Sequence, residues 1–436
     1  MSGSGEKRRV RTKVKRRVRR GPSETVIRLL IGIPLVAVIG AFLFMDPPFQ
    51  GTEPLPLEGR EVRLNDQLFD LTPNTWVRLH VGLTGAWRGS GPAGVAFDGR
   101  RNKIFVFGSN VGEGDWDNVV HEFDPVILQW FSHERAARRA SYRKDRDGWP
   151  VAGEERLQPW AMQVYDGLLY DPRLDALVVT ARPKRNPALR WVGGIERHPV
   201  WIYRLADRQW RPMDPGEAAV VSHGGGSAYD AARDALLIYN RTGIWEMGAE
   251  RTNWSHASSE THHMGRQNLV YDSRRGRFVV FGGGGDDRKL WTYVPGEQVG
   301  ATGRWKGVTP AGDGCLSQGW VAADFDSDNA VFLLVTAGNG QQPAVAKVEG
   351  EEADAKQPQV QSAPATCIYD PEGNRFLKLP EQPPAPRVEK VLVYDPVYKL
   401  FFLMGRDEQE RPAVWALRLE LPALESADIP DVQKET

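Results

Sequence analysis

The chain has 436 residues, room for two or three small domains or one large repeat domain. Gly 45 and Pro 31 together make about 17% of it, above the ordinary globular share, and with Trp 15 they favour many turns and aromatic anchors over a helix bundle. A hydrophobic content of 41% excludes wholesale disorder, and two cysteines exclude a disulfide scaffold or a Cys-rich metal site.

The net charge of zero conceals an asymmetry: residues 1–28 hold eleven Lys or Arg against two Glu, so this end carries +9 and the rest of the chain −9. Residues 1–24 read as a basic tail. The uncharged stretch Leu29 to Met45 follows, 17 residues long, or roughly 25 Å as a helix. Thr25, Val26 and Ile27 lengthen it toward the bilayer core, and Arg28 can snorkel to the headgroups. The segment Phe42 to Pro47 offers no small-x-small cleavage site, which disfavours a removed signal peptide. A basic run placed directly before an apolar helix also disfavours a nucleic-acid tail. Residues 25–46 are therefore expected to be an uncleaved transmembrane signal anchor, with the N-terminus cytoplasmic by the positive-inside rule. Everything beyond is then periplasmic or extracellular. The Pro- and Gly-rich residues 47–67 form a tether, and 421–436 an acidic C-terminal tail.

Between them an aromatic–Asp pair recurs, each followed six residues after the Asp by a large apolar residue in a β-branched or aromatic run. The pairs are Phe97-Asp98, Tyr170-Asp171, Tyr229-Asp230, Tyr271-Asp272, Phe325-Asp326 and Tyr394-Asp395. Each marks a strand, a tight turn and a second strand. A second strand pair follows, marked by residues seven apart: Phe123 and Trp130, Tyr203 and Trp210, Met247 and Trp254, Tyr369 and Phe376, with Tyr293 and Trp305 separated by a longer link. The sixth unit has a third strand near Ala413 to Leu419 but no fourth. The segment Asn74 to Leu79, with Trp76, looks like the missing strand and is expected to close a ring, which removes free sheet edges.

These residues resemble kelch repeats of the galactose-oxidase-like β-propeller superfamily. The hydrophobic run ending in Gly appears as Phe107-Gly108 and Phe281-Gly282-Gly283, and the Tyr-to-Trp spacing is intact at Tyr203 and Trp210. The resemblance covers residues 68–420 and implies an all-β, six-bladed kelch-type propeller closed by an N-terminal strand, beside the one transmembrane helix. The copper-oxidase branch would also require a Tyr-His pair and a Cys that crosslinks to Tyr. This sequence has eight His, no Tyr-His dipeptide and no Cys with such a role, so no cofactor is expected and catalysis is left open, with the reading leaning against it. Cys315 and Cys367 fall in one blade. A buried free thiol is the default for Cys367, and a bridge between the two is the alternative in an oxidising compartment.

Antiparallel succession puts the links between blades on the same face as the turns between second and third strands, and the aromatic–Asp turns on the other. The loop-rich face gathers 108–118, the 33-residue link 131–163, and 181–199. Functional residues concentrate on loops held by a rigid scaffold, and Trp and Arg dominate interfaces. The candidate binding residues are Trp116, Trp149, Trp160, Trp191, Arg135, Arg139, His262 and His263; no catalytic residue or metal ligand is assigned. The expected role is a membrane-anchored, non-catalytic protein-binding or scaffold module. Its partners are the membrane through 25–46 and a protein at the loop-rich face, with no nucleic acid. The alternative is a glycan-binding or carbohydrate-active protein with Trp149, Trp160 and Trp191 as sugar platforms around an acidic cleft.

Overall fold

The computed structural model describes residues 64–88, 91–216, 225–262, 267–282, 289–312, 315, 321–336, 364–381, 383–384 and 391–421. The basic tail, the expected anchor and most of the tether lie outside these residues. So do His263 and nearly all of the acidic tail. Among the described residues no helix is long and apolar enough to cross a membrane.

The architecture is all-β. A two-residue strand β1 (Val77–Arg78) precedes a first sheet of β2 (Gly94–Asp98), β3 (Lys103–Phe107), β4 (His121–Asp124) and β5 (Gln129–Ser132). A three-stranded sheet follows, β6 (Arg143–Lys144), β7 (Pro150–Ala152) and β8 (Gln158–Pro159). The second large sheet is β9 (Leu168–Asp171), β10 (Ala176–Val179), β11 (Val200–Arg204) and β12 (Gln209–Met213). The third is β13 (Gly226–Asp230), β14 (Ala235–Asn240), β15 (Gly243–Met247) and β16 (Ser255–Ser258). The fourth is β17 (Gln267–Asp272), β18 (Arg277–Gly282), β19 (Leu290–Val294) and β20 (Arg304–Val308). The fifth is β21 (Val321–Asp326), β22 (Val331–Thr336), β23 (Ala365–Asp370) and β24 (Arg375–Lys378). The sixth joins β25 (Val391–Asp395), β26 (Leu400–Arg406) and β27 (Pro412–Arg418) to β1.

The short continuous apolar runs explain the stacking. Strands β10, β14 and β22 are buried at every position, as strands covered on both faces must be. Each large sheet packs on the next: first on second through Phe107 and Trp201, second on third through Val178 and Leu236, third on fourth through Tyr239 and Phe278. Fourth packs on fifth through Phe281 and Phe332, fifth on sixth through Leu333 and Leu403, and sixth back on first through Phe402 and Phe123. This cyclic stacking of antiparallel sheets is a β-propeller. Glycines open its hub: a Cβ on Gly94 would lie 2.4 Å from the Leu168 Cβ, and one on Gly226 2.4 Å from the Asp166 carboxylate.

The N-terminal strand closes the sixth sheet as expected. Val77 pairs with Ala416 and Arg78 with Trp415. Trp76, buried, packs in the fifth–sixth interface, and its indole N–H donates to Thr366 Oγ1 at 2.9 Å.

Four of the expected third-to-fourth-strand pairs face each other in register: Phe123 with Trp130, Tyr203 with Trp210, Tyr293 with Trp305 and Tyr369 with Phe376. Their ring centroids lie 5.2, 4.8, 5.1 and 5.2 Å apart, within the range where aromatic pairs attract. Trp254 departs from the pattern. It stands just outside β16, whose register shifts between Ile244 and Trp245, and it packs against the cluster of Leu169, Val178 and Met247. Cys315 and Cys367 form a disulfide rather than leaving a free thiol.

The aromatic–Asp turns share one mechanism. The buried Asp accepts backbone N–H groups two and three residues on: Asp98 from Arg100 and Arg101, Asp230 from Ala232 and Arg233, Asp395 from Val397 and Tyr398. Such Asx turns fix the tight reversal. The second carboxylate oxygen takes a cation that reaches onward. Arg101 binds Asp98 and, bidentately at 2.6 Å, Asp175 of the second sheet. Arg251 joins Asp171 to Asp234, and Arg275 joins Asp272 to the Ala330 carbonyl. This face is a ring of staples between neighbouring sheets. In the sixth turn Tyr398 stands where the second carries Leu174 and the other four carry Arg or Asn, and its hydroxyl accepts from the Asn65 N–H at 2.7 Å. The outer oxygen of Asp395 has no partner, and burial pushes its carboxyl up to about 6.

Candidate functional site

On the opposite face, the loops 108–118, 131–163 and 181–199 fold together into a cap over the first and second sheets. The link 131–163 is not an open connection: it holds the three-stranded sheet and contributes Tyr142, Ala152, Trp160 and Ala161 to a buried cluster with Val111 and Ala188. Polar staples hold the loops. Asn118 donates to the Pro159 carbonyl at 2.8 Å and accepts the Ala137 N–H at 2.9 Å, while Asn186 donates to the Ala161 carbonyl at 2.7 Å. Each side chain satisfies a loop backbone group that the sheet cannot reach.

The cap sorts the predicted residues. Trp160 is fully buried, its N–H donating to the Val151 carbonyl at 2.9 Å, so it is a core residue and no surface platform. Tyr142 bridges it outward, 5.5 Å from Trp160 and edge-on at 5.2 Å to Trp116. Trp116 in turn stacks on Trp191 at 5.7 Å with planes 27° apart, and the Arg139 guanidinium sits 4.6 Å from the Trp116 ring centre. The order Arg139–Trp116–Trp191 is thus a cation–π and stacking sandwich. It ends on Trp191, which lies on the single helical turn Leu189–Val192 and is 56% exposed. Arg135, Arg138, Lys144, Lys184 and Arg185 are exposed on the same cap loops.

Trp149 is half-buried, with Arg197 5.9 Å from its ring, and belongs to the packing between first and second sheets. Trp149, Trp160 and Trp191 thus do not share one exposed surface, the arrangement that would favour the glycan-binding alternative. His262 belongs elsewhere. It stacks on Trp291 of the fourth sheet at 3.5 Å and meets Trp305 edge-on at 5.0 Å, with Nε2 3.6 Å from Glu260. Of the alternating acids, Asp117 turns inward and binds His121 Nε2 at 2.9 Å and the Val119 N–H at 3.0 Å.

Sequence reasoning passed over a second feature. A cavity of about 450 Å³ runs along the hub, lined by the first strands of all six large sheets. Asp166 and Asp324 stand in its wall. Asp166 reaches over Gly226 to accept the Leu269 N–H at 2.6 Å, and Asp324 accepts the Tyr394 N–H at 2.7 Å. Asp324 crosses to the neighbouring inner strand β25, and Asp166 past the third sheet to β17 of the fourth. The surrounding strands desolvate both, which raises the Asp166 carboxyl well above its ordinary value and that of Asp324 to about 6. For Asp324 the signal was available: it is a lone Asp where the other inner strands carry Ala96, Leu169, Ala228, Val270 and Val393.

No protein family and no curated protein matches the chain. Solved structures show likeness at low identity. One is a fungal alcohol oxidase of the AA5 family in complex with copper, at 14% identity and a TM-score of 0.37, over 75% of this chain and 62% of that one. Another is the β-propeller domain of Cps50 (Swd1) from Myceliophteria thermophila, at 12% and 0.41, over 78% and 98%. A third is XC5397, a gluconolactonase from Xanthomonas campestris, at 10% and 0.42, over 76% and 87%. None of the three lends a role to a residue of this chain. The sheet topology carries the propeller assignment.

Proposed function

We propose that this protein is a six-bladed, kelch-type propeller, held by an N-terminal signal anchor at the outer face of a membrane, that binds a protein partner through its cap without catalysis. The observation that carries the binding site is the Arg139–Trp116–Trp191 sandwich, which rests on a buried base and ends in an open indole face. A rigid aromatic anchor beside arginines is the composition of an interface hot spot. The exposed cations around it favour a partner whose contacting surface is acidic.

The anchor reading rests on the +9 end and the apolar run after it. It agrees with the disulfide, since such bridges persist in oxidising compartments. Protease added outside spheroplasts should digest the propeller and spare the basic tail; a protected propeller with a cleaved tail would reverse the orientation.

The partner site is tested by native co-purification from detergent-solubilised membranes. The double substitution Trp191→Ala and Arg139→Ala should leave the melting temperature within about 2 °C, as exposed changes do, yet lose the partners that wild type retains. An unchanged set of partners would move the site off the cap.

A further inference from the structure

A second group of donors lies on the same face, at the neck of the loop that carries Trp191 and on a turn of the third sheet. Strands β10 and β11 pair Val179 with Trp201 as their last rung before the loop 181–199. Continued outward, that antiparallel register sets Arg182 opposite His198 at the neck of the loop. Beside them the third sheet presents its two-residue turn Arg241-Thr242, which the rung between Asn240 and Gly243 closes. Arg182 is half-buried and its Nε has no hydrogen-bond partner; the Nδ1 of His198, also half-buried, has none either. Arg241 is exposed.

Buried polar nitrogens are nearly always bonded, and a half-buried guanidinium nearly always has a counterion. Among the described residues, the charges that act on this group have the same sign. Burial and then Arg241 hold Arg182 below its ordinary value, and burial and then Arg182 press His198 down to about 4. At neutral pH the group therefore consists of two cations and a neutral imidazole, with Arg182 Nε and His198 Nδ1 buried and without a partner among the described residues. Two positive charges match a dianion better than a monocarboxylate. Donors from two different loops suit an oxyanion whose oxygens point in several directions, and a guanidinium fork binds such oxygens in pairs.

We propose that Arg182, His198 and Arg241 form a binding site for a tetrahedral dianionic oxyanion, phosphate or sulfate, free or carried as a monoester. The site does not depend on the protein-partner reading.

Calorimetric titration of the full-length chain in detergent, at constant ionic strength, tests it. Inorganic phosphate, sulfate and glycerol phosphate are the probes, with acetate and chloride as controls. Wild type should bind one dianion per chain with Kd on the order of 1 mM or tighter. Arg182→Gln and Arg241→Gln should each weaken binding roughly tenfold or more, the loss expected for a charge-assisted bond. Tighter binding of glycerol phosphate than of phosphate would identify a monoester as the natural form, and the reverse order a free ion. Without anion, Arg182→Gln should melt at or above wild type, since it removes an unpaired cation; Arg241, being exposed, gives a variant that folds in any case. No saturable binding, equal binding by the Arg241→Gln chain, or equal competition by chloride would overturn the proposal.

Discussion

The two faces of this propeller are built on the same six sheets and end up chemically opposite. On the turn face, one device repeats: a buried Asp seats a tight turn, and an Arg three residues on, as at Asp98 and Arg101 or Asp230 and Arg233, ties it to its surroundings. Four of the six turn carboxylates there are matched by cations, Asp326 is served by Asn329, and Asp395 alone is left open. On the loop-rich face the links differ in length and content. Three of them build a cap with its own core, and the cations on it outnumber the acids. A repeated element settles into one self-satisfied geometry. An irregular one escapes that constraint and can carry an unsatisfied surface, which is what recognition needs.

The comparison is sharpest inside the cap, where two tryptophans predicted to act alike should behave oppositely. Trp160→Ala should cost roughly 3–5 kcal/mol, as a large-to-small aromatic core change does. Trp191→Ala should stay within about 0.5 kcal/mol. Denaturant unfolding of the two variants checks this, and similar losses would mean that the cap is not layered as described. Trp76→Ala should cost about as much as Trp160→Ala, because it opens a buried interface and strands the Thr366 hydroxyl. A melting temperature equal to that of wild type would remove the role of β1 in closure.

Next comes the disulfide. It closes a segment with a sequence separation of 52, so reduction should remove about 4 kcal/mol on the chain-entropy account. Melting with and without reductant measures it, and an unchanged curve would show that the fifth sheet does not need the bridge.

The smallest effect separates two turns of the same face. Asp98→Asn removes a carboxylate that Arg101 holds and should lower stability by roughly 1–3 kcal/mol. Asp395 has no cation. Its folded-state value of about 6 stands above the ordinary 3.8, so the folded form binds its proton more tightly. Stability from this group is full below about 4 and declines as pH rises through about 6. Asp395→Asn should therefore raise the melting temperature at pH 7.5 and leave it unchanged at pH 4. A loss at both pH values would give Asp395 the same duty as Asp98.

Much of this was legible in the chain because the repeat writes its mechanism into each unit. The Asp of Tyr170-Asp171 is there to accept turn N–H groups, so the pair marks a hairpin wherever it occurs. Seven-residue spacing places Tyr203 over Trp210 because a short turn leaves no other register. The cap gave no such signal. Strands β6, β7 and β8 have two or three residues each, too few to show a period. Nothing local therefore distinguishes buried Trp160 from exposed Trp191. Trp254 was placed by spacing alone, and the register shift at Ile244 and Trp245 put it outside its strand. Asp166 was missed because its work is done across the hub, 103 residues away at Leu269.

The central claim, that recognition belongs to the cap and structure to the turn face, is tested most directly by site-specific photo-crosslinking in native membranes. A benzophenone amino acid is placed at Trp191 in one chain and at Val397, 37% exposed on the turn face, in another. The account predicts discrete crosslinked protein bands from position 191 and none from position 397. Bands from position 397 with none from 191 would contradict it.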